Sequence, residues 1–171
     1  MNVIDYLYSL LGKEKSAGIQ DQLATIGTAG EQVVYRARKD AANVEMFVRA
    51  TVQVATERLV AGLAAAQNDG PATAVKAIGE AETLFRTLWD MSADATQLAV
   101  EAGDLATKAA DIVRGFQFPK DLFNLGRIRR RVDDVEAEFA ALDHRSFLLR
   151  EKARQVARAY GYPKAVVDAL G

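Results

Sequence analysis

Apolar residues recur at alternating intervals of three and four, without a miss, from Ala74 to Phe116. The positions are Ala74, Ala77, Ala81, Leu84, Leu88, Met91, Ala95, Leu98, Ala102, Leu105, Ala109, Ile112 and Phe116. This is the a/d spacing of a heptad repeat, in which one narrow stripe of a helix packs against partner helices. We therefore expect one helix from about residue 72 to about residue 117, on the order of 68 Å long. Ser92 is the position where a new helix cap would divide it.

The preceding segment carries a second apolar stripe with a longer period. Its members are Val34, Ala37, Ala41, Val44, Val48, Val52, Ala55, Leu59, Leu63 and Ala66. Their spacing is closer to an eleven-residue repeat, which is typical of a nearly straight helix. Thr28 and Glu31 form a capping-box pattern, so we expect this helix to begin near residue 31, after a loop in the stretch IGTAG.

The segment after Pro119 carries the third stripe. Its members are Ile128, Val132, Val135, Phe139, Leu142, Ser146, Leu149, Ala153, Val156 and Tyr160. Because only Ser146 is polar, residues 143–146 are predicted to form either a kink or a turn. Gly161 is expected to end the helix, and Pro163 to open a last short turn.

These patterns predict an all-α fold, an elongated antiparallel bundle of three long helices that resembles a coiled coil. Short links between long helices make consecutive helices antiparallel neighbours. We expect a single domain over residues 1–171. It divides into short N-terminal helices and a loop (1–30), a long helical hairpin (31–118), and a third long helix with a C-terminal turn (119–171).

Composition excludes several classes of protein. The chain has no cysteine, so disulfides, thiolate metal sites and cysteine nucleophiles are ruled out. No apolar run reaches the length of about 18 residues that a membrane span needs. The first residues carry no basic region before their apolar stretch, so we do not interpret them as a signal peptide. We expect a cytoplasmic protein.

Four arginines crowd the stretch GRIRRRVDDVE, residues 126–136. Acidic residues follow them directly, which is unlike a face that binds phosphate groups. Residues 68–118 hold 4 basic and 8 acidic residues, a net −4, whereas residues 119–171 hold 11 basic and 8 acidic, a net +3. We interpret the arginines as a charged flank of the third helix that either is solvated or faces the second helix. Local pairs, Arg129 with Asp133 and Arg130 with Asp134, are also expected.

A second basic stripe is made by Arg150, Arg154 and Arg158, which lie four residues apart on one helix face. It is a candidate contact for nucleic acid, another anionic surface or a second protomer. The alternative is that it is simply a solvated face.

No pattern for catalysis or for a cofactor is found. His144 is the only histidine, and position 141, three residues before it, is Ala rather than the Glu of a di-iron motif. The chain contains no phosphate-binding, dinucleotide-binding or zinc-protease motif. We expect no catalytic residue, no metal and no cofactor, and therefore not an enzyme.

Large apolar residues off the seams are the candidate interface residues. Trp89 is expected either to pack within the bundle or to contact another subunit. Phe147 and Leu148 also lie off the seam, and the same choice applies to an amphipathic N-terminal helix with Ile4, Leu7 and Leu11 on one face.

We therefore hypothesise a non-enzymatic structural or interaction protein, a helical bundle that self-assembles into a homo-oligomer, filament or coat. One alternative is an amphipathic-helix protein that binds peripherally to a lipid or hydrophobic granule surface. Another is a helical protein that coats nucleic acid. A different protein partner is also left open.

Overall fold

The described part of the chain is almost entirely helical. The computed structural model describes residues 3–116 and 124–170. Within these ranges four helices follow one another: α1 Val3–Asp69, α2 Pro71–Gly115, α3 Leu125–Ala159 and α4 Lys164–Ala169. The predicted all-α bundle of three long helices is confirmed. The expected stop at Pro119 lies outside the described residues.

Helix α2 buries the heptad seam that the sequence predicts. Its buried members are Ala81, Leu84, Leu88, Met91, Ala95, Leu98, Ala102, Leu105, Ala109 and Ile112. Ser92 does not divide the helix. Its Oγ donates a hydrogen bond to Glu45 Oε1 of α1 at 3.1 Å, so this hydroxyl links two helices instead of capping one.

Helix α1 runs through the residues for which a loop was expected. The loop in IGTAG and the separate short N-terminal helices are therefore wrong, because α1 continues from Val3 to Asp69. Thr28 Oγ1 donates to the carbonyl of Ala24 at 3.0 Å, a bond inside the helix rather than a cap. Gly30 is buried, and a Cβ there would lie 2.6 Å from Cε2 of Phe139. This glycine serves close packing of α1 on α3, not a turn.

Two members of the predicted α1 stripe are exposed: Leu63, at 40%, and Val52, whose place in the core is taken by its neighbour. Val52 is 38% exposed, whereas Thr51 is 1% exposed and takes its place in the core. The Thr51 hydroxyl donates to the carbonyl of Phe47 at 2.8 Å and accepts a bond from the Tyr162 hydroxyl at 3.0 Å. Both of its hydrogen-bonding functions are thus used, which makes burial of a threonine tolerable.

Helix α3 is also continuous, so no turn divides it at residues 143–146. Ser146 is buried within the apolar seam because its hydroxyl has a partner in α1. The helix ends as predicted at Gly161, whose φ is +73°. Gly161 N–H donates to the carbonyl of Arg158 and Tyr162 N–H to that of Ala157, the two bonds of a Schellman motif.

A single residue joins α1 to α2. Gly70 has a φ of +93° and donates its N–H to the carbonyl of Ala66. Pro71 begins α2, where its missing N–H costs nothing because the first helical N–H groups have no partner inside the helix. This link makes the two helices antiparallel neighbours.

The helices contribute to two compact units. The first unit comprises Met1–Ala37 and Val100–His144. Within it, α1 contacts α3 through an ion pair between Arg36 and Asp143 at 3.7 Å, and α2 contacts α3 through Lys108 and Glu138.

The second unit comprises Arg38–Ala99 and Arg145–Gly171. In it Lys152 Nζ lies 3.0 Å from Asp94 Oδ2, and Arg58 donates to the carbonyl of Tyr160 at 3.1 Å. The Lys152–Asp94 bond joins a basic residue of α3 to an acidic residue of α2, whereas Lys108 and Glu138 join the same two helices with the charges reversed. The ring of Phe47 packs edge-on against Tyr162, 5.4 Å between centroids.

Two helical glycines three residues apart provide a matched test of this packing. We predict that Gly30→Ala lowers the free energy of unfolding by about 1–3 kcal/mol, because its methyl group overlaps Phe139. Gly27→Ala meets no atom within 4 Å and should raise stability by about 0.5–1 kcal/mol through helix propensity. Urea unfolding followed by circular dichroism measures both. A Gly30→Ala protein as stable as the Gly27→Ala protein would contradict the close approach.

Candidate interaction surfaces

The described residues hold no group of three or more His, Asp or Glu side chains placed to bind a metal ion. His144 is exposed on α3. In the described ranges, 3–116 and 124–170, no helix combines the length and the apolar character that crossing a membrane requires.

The arginine cluster lies on a solvated flank at the start of α3. Arg127, Arg129, Arg130 and Arg131 are exposed, while Val132 beside them is fully buried. The local pairs predicted for Arg129 and Arg130 are wrong, since neither forms an ion pair with any residue that the structure describes.

Carboxylates of the same fold engage two members of the second basic stripe. Arg150 Nε lies 3.2 Å from Asp40 Oδ2 of α1, and Arg154 Nη1 lies 2.5 Å from Glu151 Oε1. Arg158 is exposed. Because two of the three charges are already neutralised locally, the stripe offers little net positive charge to a phosphate backbone.

The Asp40 contact belongs to a polar cluster inside the second unit. Asp40 is 7% exposed, and Ser146 Oγ donates to its Oδ2 at 2.5 Å. The Nε of Arg150 is buried beside the same oxygen, but its N–H has no hydrogen-bond acceptor among the described residues. A carboxylate, a hydroxyl and a guanidinium thus meet between α1 and α3 and align these two helices in one register.

Breaking this cluster should destabilise the fold. We predict that Asp40→Ala costs about 3 kcal/mol, the low end for a buried ion pair, because it leaves the partly buried Arg150 uncompensated. Ser146→Ala should cost about 1 kcal/mol, the value of one hydrogen bond.

Asp143→Ala is the control, because it removes an ion pair with Arg36 whose side chains are 52% and 59% exposed. It should cost under about 1 kcal/mol in the same urea titration. Equal losses for Asp40→Ala and Asp143→Ala would contradict a structural role for the cluster.

A cleft of ≈ 230 Å³ lies in the second unit, between α1, α2 and Tyr160. Its walls include the small residues Gly62 and Ala77, where a Cβ on the glycine would lie 2.6 Å from that of the alanine. The guanidinium of Arg58 lies 5.7 Å from the centre of the Tyr160 ring. Glu80 at the edge of the cleft is paired with Lys76 at 3.9 Å, so its carboxylate already has a counter-charge.

The interface candidates of α2 and α3 are exposed. Trp89 is 78% exposed, so the expectation that it packs within the bundle is wrong. Phe147 is 48% and Leu148 52% exposed, and Leu148 lines a second open cleft beside Asp94 and Lys152. The N-terminal candidates Ile4, Leu7 and Leu11 are part of α1, but the structure does not describe their side chains.

Trp89 belongs to a regular outward face of α2 within the second unit. We name the α2 outer face by its residues, which are Val75, Gly79, Glu82, Arg86, Trp89 and Ala93. They are spaced 4, 3, 4, 3 and 4 residues apart, the same period as the buried seam, and all are exposed. One helix therefore carries a second heptad stripe that faces solvent.

Sequence reasoning missed two of these features. Asp40 precedes Ala41 of the α1 stripe and follows Ala37 by three residues, so it lies on the buried side of the helix. An acidic residue at such a position indicates a buried polar contact. The α2 outer face was missed because most of its members are glycine, alanine or charged residues, which do not form a recognisable apolar stripe in the sequence.

Comparison of this chain with protein-family models, curated proteins and solved structures gives no match.

Proposed function

We propose that this protein is a non-enzymatic structural or interaction protein that self-associates through exposed apolar side chains of its helices. The observation that carries the proposal is Trp89. An indole 78% exposed on a regular helix is the kind of side chain that protein interfaces bury. Scattered exposed apolar residues are normal on a monomer. Here Val75 lies on the same face of α2 and is 71% exposed, so the face presents a second large apolar side chain to solvent.

A protein partner explains this surface better than nucleic acid does. The formal net charge of the chain is −1, and Arg150 and Arg154 are engaged by carboxylates. The α2 outer face carries one acidic and one basic residue, Glu82 and Arg86, which form an ion pair at 2.8 Å. A face with one positive and one negative charge is complementary to another face of mixed charge and not to a polyanion.

The interface candidates on the other helices extend the proposal. Phe147 and Leu148 would add contacts to a larger assembly, and so would the N-terminal residues Ile4, Leu7 and Leu11. A cytoplasmic location is part of the proposal. The absence of cysteine is compatible with that reducing compartment.

The solution mass tests the proposal. We predict that the wild-type protein, 18.6 kDa as a single chain, rises in mass with concentration in multi-angle light scattering. Trp89→Glu should shift this rise to about tenfold or more higher concentration, because it places a charge in the contact.

Tyr35→Glu is the matched control, since Tyr35 is an aromatic residue 68% exposed on α1 and should leave the mass curve unchanged. A wild-type protein that stays monomeric at every concentration would contradict self-association.

A further inference from the structure

The residues of the α2 outer face are spaced in the same way whether they are counted from its first or from its last member. Its spacing of 4, 3, 4, 3 and 4 residues is symmetric about the level of Leu84. If two copies of α2 lie antiparallel with Leu84 of each at the same level, residues equally far from Leu84 face each other. A two-fold interface requires such a self-complementary surface.

Each pair that this arrangement creates is complementary. Glu82 of one copy faces Arg86 of the other, and the relation repeats across the axis. The two side chains are 66% and 73% exposed, so they are free to turn toward a second copy. The two Glu82 and two Arg86 side chains would then form ion pairs between the copies at the centre of the contact.

Size is complementary as well as charge. Trp89, the largest side chain of the face, meets Gly79, and Val75 meets Ala93. A Cβ built on Gly79 finds no heavy atom within 4 Å, so the single chain gives no packing reason for glycine there. A glycine in the middle of a helix lowers its stability relative to alanine. A tryptophan from a second copy, lying over the bare backbone, supplies the reason.

We infer that α2 pairs antiparallel with α2 of a second copy through the α2 outer face, with Glu82 against Arg86 and Trp89 against Gly79. This rests on the proposed self-association and names its interface. A second copy is the partner because its reversed face supplies the matching charges and sizes, Arg86 opposite Glu82 and Gly79 opposite Trp89.

Charge exchange between two variants tests the register. Glu82→Arg puts four positive charges at the centre of the contact, and Arg86→Glu puts four negative ones there. Each variant alone should associate about tenfold or more weakly than the wild type, because like charges then face each other. In an equimolar mixture, the two arginines at the centre of one variant face the two glutamates at the centre of the other. The mixture should therefore recover the wild-type mass curve.

The outcomes separate this interface from self-association in general. A wild-type protein that never exceeds the monomer mass overturns both. If the wild-type protein associates and each single variant associates equally well, the proposed interface is overturned but self-association is not. The interface is also overturned if both variants associate more weakly and their mixture does not regain the wild-type mass curve. Circular dichroism of each variant should match the wild type, since both side chains are exposed.

Glycine at position 79 offers a second test with effects of opposite sign. Gly79→Ala should raise the unfolding midpoint of the dilute protein while it weakens association, because its methyl group displaces the indole of the second copy. Gly27→Ala, the control on α1, should raise the midpoint without changing association. Equal association by the two variants would overturn the contact of Trp89 with Gly79.

Discussion

The unbroken heptad seam of α2 is the constraint on which the rest of the structure depends. Its buried positions are filled by alanine together with Leu, Met and Ile, so the three long helices pack closely against one another. Alanine buries little surface, and close approach of helices compensates through dispersion contacts. Gly30 against Phe139 and Gly62 against Ala77 are points where a larger side chain would separate the helices.

Most of this fold could be predicted from the sequence, since apolar periodicity reports directly on which helix face is buried. The failures have a common physical cause. Gly30 and Thr28 were interpreted as loop and cap residues from local preference alone, but tertiary packing of α1 on α3 overrides that preference. Ser146 resembled a break because its partner, Asp40, lies far away in the sequence and close in space.

The candidate site could be predicted only in part. The exposed large residues were found because Trp89, Phe147 and Leu148 lie off the seam. The sequence did not distinguish an outward Trp89 from one that packs on a neighbouring helix, since position b borders both environments. The symmetry of the α2 outer face emerges only after the inward seam is fixed, because that decides which residues remain for a partner. Small residues and an ion pair then acquire a role that composition does not reveal.

Disulfide cross-linking tests the antiparallel pairing most directly, because the chain has no cysteine of its own. Val75→Cys and Ala93→Cys, mixed in equal amounts and oxidised, should give a heterodimer, since these positions face each other across the axis. Each variant alone should cross-link little, because two copies of one position lie about 27 Å apart along the paired helices. Cross-linking of either variant with itself as efficient as that of the mixture, or none in the mixture, would contradict the account.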